Sequence, residues 1–251
     1  MRKLPLFPTL GKVLKKSFVE LYQSFGVTLL LSLIWVPGYF LLLMAASPLM
    51  LGMKPNEAVN GLPGYVVMAL LGITVVNALW AGPITTALYG FYQERKTGYP
   101  NLKTFFSLFK RHYLRSAAVH ALYWVAVTLL GFNLISAIVH SNFFFKISGM
   151  FSAYCLFFLS LIPFFFHPLL FMKNSIFKTI KKSALLLLDN FGVCFWLNLV
   201  LGFLLVGSLA FPPLMVFVMF AYGAFLIYVI DSGFEAIWSK YSEEPGEEEK
   251  Q

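Results

Sequence analysis

Few side chains in this sequence could do chemistry. The ionisable residues in or beside its long apolar runs are Glu20, His120, His167, Asp189 and Asp231. Placing a charge in hydrocarbon is costly, so each is a functional candidate by default. His167 stands out within Ile162-Pro-Phe-Phe-Phe-His-Pro-Leu-Leu170. Pro163 and Pro168 each lack a backbone donor, which predicts a kinked or broken helix there. A histidine at such a break could titrate or bind a ligand, because broken spans build transporter sites. The plainer expectation is a neutral imidazole hydrogen-bonded to a carbonyl that a proline has freed.

Motifs that would assemble an enzyme are missing. There is no HExxH, GxSxG, Walker loop, CxxC or paired His/Cys spacing, and the four histidines are spread over separate segments. The expectation is a non-enzyme without catalytic, cofactor or metal residues. Asp189 precedes one apolar run and Asp231 ends the last. No run then carries a carboxylate near its centre, as a proton-coupled transporter would need. Pro37 with Gly38, and Gly82 with Pro83, should break two further runs, and Thr85 and Thr86 should bond backward onto the local backbone. Asn77, Asn133 and Asn198 read as hydrogen-bonding glue between helices. Pro37, Pro83, Pro163, His167 and Asn198 are therefore the candidates for a cavity or a kink-lined path. Cys155 and Cys194 fall inside apolar runs and are expected to pack rather than form a disulfide.

The elements that must position these residues are membrane spans. The chain is 59% hydrophobic, 18% aromatic and only 12% charged, with mean hydropathy +0.77. A soluble domain is about half apolar and one quarter charged. Crossing the hydrocarbon takes about 20 residues. Six runs qualify: 26–49, 65–90, 116–138, 148–172, 191–210 and 213–234. The expected fold is all-α and polytopic, one transmembrane domain over 1–240 followed by an acidic, disordered tail at 241–251. Lys12, Lys15 and Lys16 interrupt any signal-peptide core, so the first run is read as a retained helix.

Charge placement orients the spans. Lys and Arg number five before the first run, six between the second and third, four between the fourth and fifth, and two after the sixth. Only Lys54 and Lys146 fall on the other side. Cytoplasmic loops collect Lys and Arg, which places both termini in the cytoplasm.

Each hairpin of spans is preceded by a basic, amphipathic segment. In the first, Leu10, Leu14, Phe18, Leu21 and Phe25 form a helical stripe, with Lys12, Lys15 and Lys16 off it. In the third, Ile176, Ile180, Ala184, Leu187 and Phe191 repeat the stripe beside Lys178, Lys181 and Lys182. Aligning Lys12–Val27 on Lys178–Val193 gives eight identities in sixteen positions, the mark of an internal repeat. The middle segment keeps the physical pattern, with Phe105, Phe106, Phe109 and Tyr113 beside Lys110, Arg111 and Arg115. The architecture is thus read as three units, each an amphipathic helix followed by a hairpin of spans. Such helices can lie in the headgroup layer and meet anionic lipids, or simply continue the spans. Because the basic residues alternate with spans, nucleic acid is excluded as a partner.

Gly82-Pro-Ile-Thr-Thr-Ala-Leu-Tyr89, a charged turn, and Phe105-Phe-Ser-Leu-Phe-Lys-Arg-His-Tyr-Leu-Arg-Ser116 resemble the YesL-like family of bacterial integral membrane proteins. That family shows a Pro-Thr-Gly/Ala-Ala-Leu-Tyr segment before a Phe-Phe-x-x-Phe-Lys-x-x-Phe segment. The likeness covers residues 75–135, with hydropathy alone beyond. The departures are Ile84 between proline and threonine, Tyr113 where Phe is usual, and the additional repeat at Lys178–Val193. The resemblance implies a bacterial cytoplasmic-membrane protein and, because members often occur beside carbohydrate-uptake systems, an accessory role in sugar transport. It offers no catalytic residues to carry over.

Two functions compete. One is a non-enzymatic accessory or scaffold that docks a transport partner or lipid headgroups through Lys12, Lys15, Lys16, Lys110, Arg111, Arg115, Lys178, Lys181 and Lys182. The other is a transporter or channel for a small solute, along the kinked spans.

Overall fold

The computed structural model describes residues 5–51, 64–98, 100–140, 142–207 and 210–242. Lys54 and nearly all of the acidic tail lie outside the described residues. Among the described residues the chain is helical and contains no strand. The helices are α1 (Leu6–Gln23), α2 (Phe25–Leu51), α3 (Gly64–Val76), α4 (Gly82–Thr97), α5 (Leu102–Val139), α6 (Phe143–Leu161), α7 (Phe166–Phe171), α8 (Ile176–Asp189), α9 (Phe191–Gly207), α10 (Pro212–Phe217) and α11 (Gly223–Ser242). Among the described residues, five helical stretches, Phe25–Leu42, Val66–Thr97, Leu102–Val139, Phe143–Phe171 and Phe220–Tyr241, are long and apolar enough to cross a membrane, or six if the bent pair α8 and α9 forms one span. Bulky side chains such as Met44, Met68, Leu129, Ile138, Phe151 and Phe203 are exposed. Water would penalise so much exposed apolar surface, and lipid would not.

The basic lead-in segments do not all behave alike. α1 ends at Ser24 (φ −117°, ψ 34°) before α2 begins, and α8 meets α9 at a 99° bend. The middle lead-in instead runs straight into its span as the 38-residue α5. An Asn101–Thr104 capping box starts α5: Thr104 N–H donates to Asn101 Oδ1 at 3.0 Å, and Asn101 N–H donates to Thr104 Oγ1 at 3.3 Å.

The two breaks occupy matching positions. Ser24 N–H donates to the Glu20 carbonyl and Asn190 N–H to that of Leu186; Thr28 N–H donates to Ser24 and Cys194 N–H to Asn190. In the alignment drawn from sequence, Glu20 and Ser24 face Leu186 and Asn190, and Thr28 and Cys194 are the residues that follow it in the same register. Burial follows the same register, since Val13, Ser17, Thr28 and Leu31 are as deeply buried as Thr179, Ser183, Cys194 and Leu197.

The predicted stripes coincide only in part with the packed faces. In α1 the buried residues are Thr9, Val13 and Ser17, whereas Phe18 is 50% and Phe25 65% exposed. In α8, Thr179 and Ser183 are fully buried beside the stripe residue Leu187, while Ile176, Ile180 and Ala184 are half-buried, the two isoleucines packing against Val119, Phe166 and Leu170. In α5, Phe105 is buried but Phe106 is 64% exposed. Small side chains let helix backbones approach closely, and lipid takes the bulky face. An aqueous reading of amphipathicity looks for the packed face among the bulky residues alone and so misplaces it.

The chain forms two compact units, Met1–Ile34 with Lys181–Gln251, and Trp35–Ile180. In the first, α11 supplies the core through Ala224, Phe225, Ile227, Tyr228 and Val229. α1 packs against α11 and α9, with a Lys16–Glu235 ion pair at 2.5 Å and Phe18 on Phe225 at 4.8 Å. Thr28 and Tyr228 share a hydroxyl contact of 3.1 Å. The 223–224 backbone follows a π-helical turn at Val218–Tyr222, and Ala224 N–H donates to Ser32 Oγ at 3.3 Å.

In the second unit, α4, α5 and α7 pack together and α6 lies along α5. Asn133 bridges α5 to α6, donating to Ser152 Oγ at 2.8 Å and accepting from Ser148 Oγ at 2.9 Å. That is the interhelical role expected of it. Asn77 differs, donating to Ile73 within its own helix. Pro37 does not break its span either, since α2 is continuous from Phe25 to Leu51. Its neighbour Gly38 is where the Trp80 indole packs, 3.3 Å from the site of a Cβ.

Candidate functional site

The second unit is organised around α4, in which every residue from Gly82 to Tyr92 is buried. A helix buried on all sides must satisfy its polar groups internally. A π-helical turn at Asn77–Ala81 joins α3 to α4, so Gly82-Pro83 widens the span without ending it. Pro83 has no N–H to give the Leu79 carbonyl four residues back. Tyr113 of α5 fills that gap, its hydroxyl donating to Leu79 O at 3.1 Å. A phenylalanine at position 113 could not make this bond. Tyr113→Phe is expected to destabilise the protein by about 1 kcal/mol, measured by thermal unfolding in detergent.

Thr85 and Thr86 bond backward as their position after Pro83 predicts, to Ala81 O at 2.7 Å and Gly82 O at 3.0 Å. Thr86 also reaches two other helices. Its Oγ1 lies 2.8 Å from Ser116 Oγ on α5 and 2.9 Å from His167 Nδ1 on α7. On α5, His120 Nδ1 lies 2.8 Å from the Ser116 carbonyl and 3.3 Å from Ser116 Oγ. The His120 and His167 rings stack with centroids 5.4 Å apart and planes 25° apart, and Phe166 meets His120 edge-on. All four polar side chains are buried.

One distribution of protons satisfies each of these contacts. The Ser116 carbonyl can only accept, so His120 Nδ1 carries a hydrogen. Thr86 then donates to Gly82 O and accepts from Ser116 Oγ and from His167 Nδ1. Both imidazoles are held by Nδ1–H and neither needs a charge. His167 is thus fixed by a threonine hydroxyl, not by the freed carbonyl expected for it. The histidine that bonds a backbone carbonyl is His120.

The glycine of Gly82-Pro83 has a steric reason. A Cβ at Gly82 would fall 2.3 Å from His120 Cγ and 2.6 Å from its Nδ1. The imidazole lies directly on the α4 backbone, a close approach open only to glycine.

The other sequence candidates scatter. Pro163 lies in a 3-10 turn, Ile162–Phe165, between α6 and α7, so the fourth span changes winding there as its prolines predict. α7 closes with Lys173 in the left-handed region (φ 61°). Asn174 N–H donates to Leu169 O and Lys173 N–H to Leu170 O, the helix-ending pattern that usually uses glycine. Pro37 is exposed on α2, and Asn198 is half-buried on α9 in the other unit. Of the candidate path residues, only His167 belongs to this network, while Pro83 lies beside it in sequence, next to the Gly82 carbonyl that Thr86 bonds. Among the cations, Lys12, Lys15, Lys110, Arg111, Arg115, Lys178 and Lys181 are exposed and Lys182 is half-buried. Lys16 is held by Glu235.

One acid differs from its sequence reading. Asp231 does not end the last span; it lies within α11, midway along the apolar stretch Phe220–Tyr241, and is 1% exposed. A carboxylate therefore does sit near the centre of a candidate span. Asp189, the last residue of α8, accepts from Lys240 Nζ at 2.6 Å and from the Tyr241 hydroxyl. Asn190 beside it donates to Tyr241 at 3.1 Å, so the α8–α9 bend is tied to the end of α11.

Comparisons with family models, with curated proteins and with solved structures return no match. Among the described residues, no three His, Cys, Asp or Glu side chains gather as a metal set would. The Thr86–Ser116–His120–His167 network is the strongest chemical feature of the second unit, and sequence reasoning did not assemble it. One signal was available: His112, Ser116 and His120 recur every four residues, and all three are buried on α5.

Proposed function

We propose that the chain is a multi-pass protein of a bacterial cytoplasmic membrane, of the YesL-like kind, acting as a non-enzymatic accessory or scaffold subunit. Both termini face the cytoplasm, and the partner is a membrane-transport system, with carbohydrate uptake the class implied by the resemblance. The observation that carries this reading is the form of the basic lead-ins. Their packed sides include the short side chains Thr9, Val13 and Ser17 on α1 and Thr179 and Ser183 on α8, while Lys12, Lys15, Lys110, Arg111, Arg115, Lys178 and Lys181 remain exposed. The satisfied network around Thr86 favours a structural core over a reaction centre.

The three-unit architecture belongs to the same proposal. Two features support it: the matching breaks at Ser24 and Asn190, and the winding defect in each hairpin's second helix. Those defects are at Asn77–Ala81, Ile162–Phe165 and Val218–Tyr222, and a buried stretch follows each one. The test is purification from native membranes in mild detergent, comparing wild type with Lys110→Gln/Arg111→Gln/Arg115→Gln. A transport complex retained at fixed stoichiometry by the wild type and lost by the variant is expected. Recovery of the same protein alone in both cases would remove the accessory reading.

A transporter for a small solute is the second reading, favoured by the buried Asp231 and the stacked histidines. It requires water to reach the network. Cysteines placed beside Pro83, His167 and Asn198 should then react with a membrane-impermeant maleimide, and protection at all three sites would count against transport.

A further inference from the structure

The membrane reading leaves open what the exposed cations touch, and α1 answers this for one group of them. At about 100° per residue, its surface divides into three sectors. Thr9, Val13 and Ser17 form the packed sector. Next round the helix come Phe7, Phe18 and Tyr22, which are 70%, 50% and 85% exposed. Beyond them lie the exposed Lys15 and Lys12, then Lys16. Glu20, the only acid in α1, is half-buried on the packed side. Lys16 is already neutralised by Glu235, which leaves Lys12 and Lys15 as the cations facing outward.

We propose that α1 lies in the plane of the membrane and binds anionic phospholipid headgroups through Lys12 and Lys15. A site for an acidic cytoplasmic protein would need cations alone, standing clear of the bilayer. Here a row of exposed aromatics borders the lysines, and the chain enters α2 at Phe25, itself 65% exposed. The aromatic sector therefore runs directly onto a helix apolar enough to span. Aromatic rings settle at the headgroup boundary, and the lysines beside them then sit at phosphate depth. The Lys16–Glu235 ion pair and the Phe18–Phe225 contact tie α1 to α11, so this orientation is set by packing rather than induced by lipid.

This inference rests on the membrane assignment but not on the accessory role. The full-length protein in detergent is equilibrated with phosphatidylglycerol and phosphatidylcholine, and retained lipids are counted by native mass spectrometry. Wild type should retain phosphatidylglycerol preferentially. Lys12→Gln/Lys15→Gln should lower that preference by about fivefold per lysine, while Lys12→Arg/Lys15→Arg preserves it. Both positions are exposed, so the fold should survive, and an unchanged melting temperature checks this. Lys146→Gln, in α6, should leave the preference at the wild-type value. An unchanged preference in the double glutamine variant would overturn the proposal, as would equal displacement of the lipid by inorganic phosphate. Loss of a co-purifying transport partner without change in the retained lipids would assign the lysines to a protein and overturn it too. Loss of lipid preference with the partner retained would uphold it.

Discussion

Gly82→Ala is expected to destabilise the protein by about 3 kcal/mol, although alanine is the better helix former by about 1 kcal/mol. The reason is contact with a rigid group. The new methyl would stand 2.3 Å from Cγ, 2.5 Å from Cδ2 and 2.6 Å from Nδ1 of His120. An imidazole cannot fold away as the end of a lysine would. Its Nδ1 is also bound to the Ser116 carbonyl at 2.8 Å, and its ring is stacked on His167. Either α4 moves away from α5 or His120 leaves its rotamer, and both routes break buried hydrogen bonds. Thermal unfolding in detergent would read the loss as a fall in Tm of roughly 6–12 °C. His120→Ala in the same background removes the obstacle, so the double variant should be more stable than Gly82→Ala alone. Strict additivity of the two changes would show that the methyl and the ring do not meet.

Thr86→Val is expected to cost about 2 kcal/mol, with Thr85→Val below about 1 kcal/mol. The substitutions are chemically identical and adjacent, which makes the contrast informative. Thr85 gives its hydroxyl hydrogen to Ala81 O and, in the contacts described, does nothing else. Thr86 joins Gly82 O, Ser116 Oγ and His167 Nδ1. Its removal leaves a buried serine and a buried histidine each short of a partner, and an orphaned buried group costs more than the bond itself contributed. Denaturant titration in detergent, with the two variants side by side, tests the assignment. Equal costs at the two sites would mean that Thr86 does no more than bond its own helix.

Chemical composition and chain connectivity account for what was legible in advance. The helical content, the positions of the apolar runs and the places where winding changes at Pro83 and Pro163 follow from local rules, because proline's missing N–H acts within one turn. The backward bonds of Thr85 and Thr86 are local in the same sense. The eight identities between Lys12–Val27 and Lys178–Val193 pair Ser24 with Asn190, and a helix break falls at each of these two positions, which spacing alone did not announce.

Tertiary structure decided which face of each helix packs and which polar groups meet. A periodic stripe such as Leu10, Leu14 and Phe18 locates an apolar side, but between lipid and protein the closest packing goes to small residues such as Thr9 and Ser17. Pro37 shows the limit of a local rule, because α2 stays continuous across it. Asp231 looks terminal only when hydropathy defines the span; α11 continues to Ser242. The Thr86–Ser116–His120–His167 network unites residues up to 81 positions apart. Sequence spacing cannot show that meeting, because it depends on how α4, α5 and α7 pack, and on a glycine that allows His120 to lie against a backbone.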